Sequence, residues 1–488
     1  MAKKLFLTIM LVCSTLFVSA QTTVYRVNKA STQTEDGLTW DSGFKTIGAA
    51  LAAAGDASPT VIEIWVKADT YQEAHFWLRN NVHIFGGFLG TETNRDDRNW
   101  QNNATILKPS AAGQRIIIRH SGTSVKNGVL DGFTLTGADG IWTAYLNAGN
   151  IVRNCTFKDN NSGTYNGGAI YLGSGSTLEN CVVKDNISGG SGGGVAGGHA
   201  QQKDMPIKII NCEIVNNVST GDGGGVYIGS YTLEMYNTLI ANNTSGARGG
   251  GFRFETPPQQ SKITNCTVVN NESGSEKEGG MYLSTINGEV VYVTNTIMYG
   301  NREAGGNVSN VNVNENVSIS YTGIEELPVE LNGNNNINLT ANQFVSPTAF
   351  SGKIIPSPTY DWSLLSTSDC VNAGDNSAVS GTVDLAGNDR IQKGTVDLGA
   401  YESPHGVSVG SDKEEFFVSG SAYFNSMGRS FVFPDKASNV EVYNLQGVKV
   451  FEATELVGNV SADFVKTGVY ILKYRANDSL FQQKFIVY

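Results

Sequence analysis

Between residues 151 and 301 the apolar and polar positions recur in one order six times. Asn154-Cys-Thr-Phe-Lys-Asp-Asn160 returns as Asn180-Cys-Val-Val-Lys-Asp-Asn186, Asn211-Cys-Glu-Ile-Val-Asn-Asn217, Asn237-Thr-Leu-Ile-Ala-Asn-Asn243, Asn265-Cys-Thr-Val-Val-Asn-Asn271 and Asn295-Thr-Ile-Met-Tyr-Gly-Asn301. Steps of 26 to 31 residues between copies are the mark of a solenoid whose turns carry loops of different length. Within each copy the side chains alternate with the period of a strand. One parity holds Cys155, Cys181, Cys212 and Cys266, with Thr238 and Thr296 in the same slot, and two residues on Phe157, Val183, Ile214, Ile240, Val268 and Met298. These positions face the core, and Thr156, Glu213 and Thr267 face away from it. The second asparagine of each copy, Asn160, Asn186, Asn217, Asn243 and Asn271, is expected at a sharp corner, because asparagine tolerates the left-handed conformation and its amide can stack from rung to rung.

A glycine then opens the next strand at Gly168, Gly193, Gly224, Gly250 and Gly279, where the missing Cβ lets neighbouring rungs approach. Alignment on these glycines gives an inward column, Ile170, Val195, Val226, Phe252 and Met281, and an outward one, Tyr171, Ala196, Tyr227, Arg253 and Tyr282. The tyrosines and the arginine are expected to stand exposed in one stripe, a candidate glycan-stacking surface. Any partner is expected there or on loop insertions such as residues 197–206.

Upstream, residues 22–27 read as a first strand, and a short amphipathic helix follows, capped by Ser42 or Asp41, striped by Phe44, Ile47 and Leu51 and ended by Gly55. Residues 21–60 would thus cover the open first layer of the solenoid. Short strands are expected at 61–66, 82–85, 105–107, 115–118 and 132–135. Beyond the repeats, residues 365–403 read as a closing module and 404–412 as a linker. Strands at 416–418, 430–433, 440–443, 448–450, 468–473 and 484–487, with turns at Gln446-Gly447 and Asn477-Asp478, predict a small β-sandwich over residues 413–488. Lys3 and Lys4, an apolar run and Ser19-Ala20 mark residues 1–20 as a signal peptide.

The 57 glycines and 16% charged residues agree with turn-rich β structure. A net charge of −11 excludes an electrostatic footprint for nucleic acid. The cysteine column is expected as buried free thiols, since threonine replaces it without a partner. No metal-ligand spacing occurs among the histidines or cysteines, and no cofactor is expected. Asp384, Arg390, Asp397 and Glu402 are read as a buried ion-pair network that fixes the end of the helix rather than a calcium site. The best catalytic candidates are Lys158, Asp159, Lys184 and Asp185, acids and bases on adjacent rungs, whose bland reading is a solvated charge ladder.

The N-C-x-F-x-x-N and G-G-A-I phrases resemble the parallel β-helix repeats of bacterial surface proteins, including chlamydial polymorphic membrane proteins, and residues 37–40, 82–88 and 90–100 resemble the first rungs of that family. Cys370-Val-Asn-Ala-Gly-Asp375, Asp384-Leu-Ala-Gly-Asn388 and Val396-Asp-Leu-Gly-Ala-Tyr-Glu402 resemble a closing module of exported proteins with varied anchors. Val442-Tyr-Asn-Leu-Gln-Gly447, Gly468-Val-Tyr-Ile-Leu-Lys473 and Lys484-Phe-Ile-Val-Tyr488 look like the C-terminal sorting domain of the type IX secretion system of Bacteroidetes. The implied fold is all-β: a right-handed single-stranded parallel β-helix with an N-terminal capping helix, then the β-sandwich. The implied protein is a monomer, secreted across the outer membrane by the type IX machinery, with no transmembrane helix. It would act without catalysis in adhesion or glycan contact; the alternative is a lyase or glycoside hydrolase of acidic glycans.

Overall fold

The computed structural model describes residues 22–57, 60–118, 127–146, 149–198, 205–255, 259–274, 277–285, 289–312, 316–348, 360–404, 423–425, 430–444, 448–461, 468–476 and 479–487. The leader, residues 405–412 of the linker, the strand expected at 416–418, the turns at 446–447 and 477–478, and most of the 197–206 insertion lie outside the described residues. The chain forms two compact units, Met1–Val407 and Ser408–Tyr488.

The first unit is a parallel β-helix. Sheet A stacks eleven strands from Thr23–Val27 to Val317–Ser320, and sheet B eleven from Thr70–Glu73 to Ile337–Leu339. Sheet C has six, from Ala144–Tyr145 to Met281–Ser284, and sheet D four two-residue strands from Ile187–Ser188 to Glu272–Ser273. Each regular repeat contributes one strand to A, B, D and C in turn. Inside, Val152, Leu178, Ile209, Met235, Ile263 and Val293 of sheet A meet Phe157, Val183, Ile214, Ile240, Val268 and Met298 of sheet B and Ile170, Val195, Val226, Phe252 and Met281 of sheet C. Each such side chain contributes about 1.5–3 kcal/mol by leaving water.

The corners differ from the sequence expectation in an instructive way. Left-handed backbone falls on the first asparagine of each phrase, Asn154, Asn180, Asn211, Asn237, Asn265 and Asn295, and on the residue before the second, Asp159, Asp185, Asn216, Asn242, Asn270 and Gly300. Asn160, Asn186, Asn217, Asn243 and Asn271 are not left-handed. They turn inward, where an amide lost from water must find partners. Asn160 Nδ2 donates to Asn186 Oδ1 at 2.9 Å, and the ladder continues through Asn217, Asn243 and Asn271 to Asn301 at 2.9–3.0 Å. Each amide also donates to a carbonyl of the preceding rung, as Asn217 Nδ2 does to Val183 O at 2.9 Å. The cysteine slot follows a similar logic. Thiols of Cys155, Cys181, Cys212 and Cys266 donate to the carbonyl two residues back at 3.1–3.4 Å, and the Thr238, Thr296 and Thr322 hydroxyls do the same at 2.9–3.1 Å. The slot selects a small donor, which either residue supplies. A Cβ on Gly168, Gly193 or Gly224 would come within 2.1–2.3 Å of the glycine carbonyl on the next rung.

Helix α1, Ile47–Ala54, covers the first layer with Ile47, Ala50 and Leu51. Its cap is Thr46, not Ser42 or Asp41: the Thr46 hydroxyl accepts from Ala49 N at 3.1 Å. Glu73 supplies the rest, accepting from Ile47 N and Gly48 N at 2.8 and 3.0 Å, as a carboxylate at a helix N-terminus should. Phe44 lies ahead of the helix and bridges to Val27. Expected strand 115–118 reduces to bridges at Ile117, and Thr70–Glu73 and Val129–Asp131 are strands that the apolar pattern alone did not mark. At the other end, Leu331 of the 3-10 turn Val329–Leu331 enters the same core.

The second unit is antiparallel, with strands Tyr423–Asn425, Ser430–Asn444, Lys449–Ser461, Gly468–Ala476 and Ser479–Val487 around Phe431, Phe433, Val440, Val442, Leu472 and Tyr474. The two strands expected at 430–433 and 440–443 are one. Pro434 reads as a break because it lacks an N–H, but it falls where the register shifts between Phe433 and Ala437.

Candidate functional site

Two outer faces of the helix carry chemistry. On sheet B the sequence expected polar residues facing solvent. From the sixth rung on, that face is apolar and covered: Val215, Leu239, Ala241, Val269 and Ile297 pack against Phe344, Trp362, Leu364, Cys370, Val371 and Leu398. The closing segment therefore folds along the side of the helix and does not plug its end. Corner asparagines hold it there. Asn237 Nδ2 donates to Val383 O at 2.9 Å, Asn265 Nδ2 to Asp397 O at 3.3 Å and Asn295 Nδ2 to Asp375 O at 2.9 Å. Thr267, expected outward, accepts from Ala400 N at 2.9 Å beneath the segment.

Arg390 anchors the segment. It is 1% exposed, and its NH2 contacts Glu402 Oε1 at 2.9 Å and donates to the carbonyls of Asp397 and Gly399 at 3.1 and 3.0 Å. The acids around it bind backbone: Asp397 accepts from Asn372 N and Ser403 N, both at 2.6 Å, and Asp384 from Asn388 N and Glu402 N at 2.7 Å. Burial pushes Asp397 up to about 6 and Glu402 up to about 8 despite the arginine. With their oxygens turned to backbone donors, these carboxylates have a structural role, and no group of three or more metal-capable side chains occurs among the described residues.

Lys158 and Lys184 are register neighbours on the uncovered part of sheet B. Lys158 Nζ lies 4.0 Å from Asp159 Oδ2, both well exposed. Asp159 and Asp185 occupy left-handed corners, φ 55° and 58°, and Asp185 accepts from the Asn216 amide. Later rungs place Asn216, Asn242, Asn270 and Gly300 at the same corner. Glu213 beside them is bonded by the Tyr360 hydroxyl at 3.1 Å, and burial raises its pKa.

Sheet C is different. The outward stripe is in register, Tyr145, Tyr171, Ala196, Tyr227, Arg253 and Tyr282, but none of the four residues expected to be exposed is: Tyr171 and Arg253 are buried, and Tyr227 and Tyr282 are half-buried. Tyr171 is 8% exposed because Tyr145 lies 4.8 Å away and Trp142 closes over both, at 5.2 and 6.2 Å. Arg115 lies 4.7 Å from the Trp142 ring. Arg253 is 3% exposed. Its NH1 donates to Phe254 O and Tyr282 O, its NH2 to Glu255 Oε1 at 2.6 Å, and its Nε lies 3.8 Å from Asp222 Oδ2. Tyr282 stacks beneath both Arg253 (4.3 Å) and Arg248 (5.3 Å), and Arg248 grips Asp222 at 3.1 and 2.7 Å. Tyr227 reaches over Gly229, whose missing side chain leaves room for the ring, and donates to Glu255 Oε2 at 3.3 Å. Burial and Glu255 push the Tyr227 hydroxyl up to about 12. Glu278, half-buried and raised by burial, has one carboxylate oxygen enclosed without a partner among the described residues.

Solved structures with a similar course of the chain exist. PemA, a pectin methylesterase from Erwinia chrysanthemi, is 15% identical over 66% of this chain and 94% of its own, with a TM-score of 0.31. Pectin methylesterase structures in complex with a hexasaccharide give 14% identity, the same coverage and TM-scores of 0.30 and 0.28. No family model and no curated protein matches the sequence. No residue role is transferred from these structures.

Asp222, Arg248, Glu255 and Glu278, which complete the sheet C site, were not singled out from the sequence. A signal existed for Glu255: it lies two residues from Arg253, on the same strand face.

Proposed function

We propose that this chain is a secreted or cell-surface β-helix that contacts glycans through the outer face of sheet C, in adhesion or glycan attachment, without chemistry of its own. The observation that carries the reading is the joining of Tyr227, Tyr282, Arg248, Arg253, Asp222 and Glu255 on one outward face, by the hydrogen bonds and ring contacts described above. Half-buried aromatic rings offer apolar area to sugar C–H faces, and planar polar groups locked by one another offer fixed partners to hydroxyls. The same bonds speak against chemistry there: the oxygens of Asp222 and Glu255 are engaged by Arg248, Arg253 and Tyr227. The buried Cys212 and Cys266 thiols are pushed up to about 12 and stay protonated.

A glycan array probed with the native protein and Tyr282→Ala tests the reading. Removing the ring under both arginines should weaken glycan binding at least about tenfold. Failure of the native protein to bind any glycan, or unchanged binding by the variant, rules the reading out. One observation favours a second reading, a glycoside hydrolase: one oxygen of Glu278 is enclosed without a partner among the described residues, and burial raises the pKa of its carboxyl. Release of reducing ends, abolished by Glu278→Gln, would establish it.

On the same proposal the chain leaves the cell by a leader at residues 1–20 and the type IX machinery acting on residues 413–488. Among the described residues no helix is long and apolar enough to cross a membrane. Surface display of a chain truncated after residue 412 would exclude that route.

A further inference from the structure

On the reading that the sheet C face binds glycans, its layout along the helix axis says how they lie. Rings that a ligand can reach stand at both ends of the stripe. At one end Tyr165, 40% exposed, packs on half-buried Trp142 at 4.4 Å, and Trp142 in turn covers Tyr145 and Tyr171. At the other end half-buried Tyr227 and Tyr282 lie with Arg248, whose side chain is 40% exposed. From strand Ile170–Leu172 to strand Met281–Ser284 the stripe takes four steps, through Val195–Gly197, Val226–Gly229 and Phe252–Glu255. At the usual spacing of hydrogen-bonded strands that is roughly 19 Å.

Between the two ends, one corner position beside the face is almost bare over three successive rungs. Tyr165 is followed there by Gly190, Gly221 and Ala247: a Cβ on Gly190 would come within 3.1 Å of Tyr165 C, Gly221 N donates to Gly190 O at 2.8 Å, and Ala247 N donates to Gly221 O at 3.1 Å. The stripe has its smallest member, Ala196, in the same stretch, within one apolar cluster that also holds Trp142, Tyr145, Tyr171 and Tyr227. An extended 1,4-linked saccharide advances per sugar by close to one strand spacing, so a chain laid along the axis keeps step with the rungs. Its sugars meet rings at both ends, and the bare corner leaves the path between them clear. A saccharide laid across the axis meets one end only.

We propose that the sheet C face binds the interior of a linear polysaccharide, laid parallel to the helix axis and held at two ring sites, Trp142 with Tyr165 and Tyr227 with Tyr282. Tyr165, which stands outside the stripe, is then a binding residue for sugars distant from Tyr282. Two weak sites joined by one ligand chain act together, so affinity rises with chain length until both are reached.

The test is titration of the full chain with the trisaccharides and hexasaccharides of the cellulose, mannan, xylan and galacturonan series. In a series that binds, the hexasaccharide, long enough for both ends, should bind at least about tenfold tighter than the trisaccharide, which reaches one. Tyr165→Ala and Tyr282→Ala, changes at opposite ends of the face, should each reduce that advantage to less than about threefold. Tyr165→Ala keeps the carbonyl that accepts from the Ser162 and Ser188 hydroxyls at 2.6 and 2.7 Å, so the corner itself is preserved. A hexasaccharide that binds no tighter than its trisaccharide, or that keeps its advantage in either variant, overturns the inference while leaving glycan binding standing. Binding of no saccharide overturns the glycan reading and the inference with it.

Discussion

Sheets B and C both present an outer face to the surroundings of the helix, and both carry a buried arginine, yet they are built to opposite ends. Against sheet B, Arg390 of the closing segment is 1% exposed and sits with Glu402 of the same segment, also 1% exposed in its side chain. On sheet C, Arg253 is nearly as buried, at 4% for its side chain, but its partners Glu255 and Asp222 remain 29% and 12% exposed. The first belongs to a segment that packs on sheet B through Trp362, Leu364 and Leu398. Against the second lie the rings of Tyr282, 4.3 Å from Arg253, and Tyr227, which donates to Glu255. A charge pair sealed on all sides holds a structure together; one open on a side remains available to a ligand.

The largest effect that tests this contrast is loss of each arginine. Arg390→Met should destabilise the β-helix by about 3–5 kcal/mol, since it leaves Glu402 and the carbonyls of Asp397 and Gly399 without their donor in a dry site. Arg253→Met should cost less, about 1–3 kcal/mol, because Asp222 keeps Arg248 and Glu255 keeps Tyr227 and water. Urea denaturation of the two variants reads the order directly, and a reversed order would mean that sheet C, not sheet B, is the structural face.

A smaller effect comes from pH. Burial holds Asp397 up to about 6 and Glu402 up to about 8, so the folded chain binds more protons than the unfolded chain between the ordinary carboxylate pKa of about 4.3 and those values. Stability from these groups is therefore fully present at low pH and is lost as pH rises through about 6 and then about 8. Asp384 is shifted in the same direction by burial. The urea midpoint should fall from about pH 5 to about pH 8, and Glu402→Gln should flatten the fall. A midpoint that rises over this window would place the ionised, not the protonated, carboxylates in the folded state.

How much of this contrast the sequence holds can be read residue by residue. The core columns were legible because the repeat fixes their phase: Phe157 and Val183 cannot slip by one without turning outward. The lateral cover on sheet B was not, although its trace is present. In early copies the strand alternates, as in Thr156-Phe-Lys158. In later ones both parities are apolar, Leu239-Ile-Ala241, Thr267-Val-Val269 and Ile297-Met-Tyr299, which is how a strand buried on both faces reads. The alignment that revealed the inward column concealed this change in the outward one. For sheet C the stripe itself was legible, but its burial was not, because Trp142 and Asp222 reach it from loops whose length varies between copies.

The smallest effect concerns the uncovered rungs of sheet B, where Lys158 and Lys184 stand. The charges there are not held by neighbours in the way that Arg253 is. Instead the Lys158 ammonium lies 4.0 Å from an exposed Asp159, a contact that water screens almost fully. The acids there answer to backbone geometry: at φ 55° and 58° the chain needs a residue that tolerates the left-handed region, and later rungs use Asn216, Asn242, Asn270 or Gly300 for the same purpose. Replacing both lysines with alanine should therefore change stability by no more than about 0.5 kcal/mol and leave glycan binding as it was. Asp159→Asn and Asp185→Asn should be equally silent, while Asp185→Val should destabilise by about 1–2 kcal/mol, the cost of a β-branched residue held in the left-handed region. The asymmetry between asparagine and valine at one position separates a turn residue from a catalytic acid, for which asparagine would be the damaging substitution.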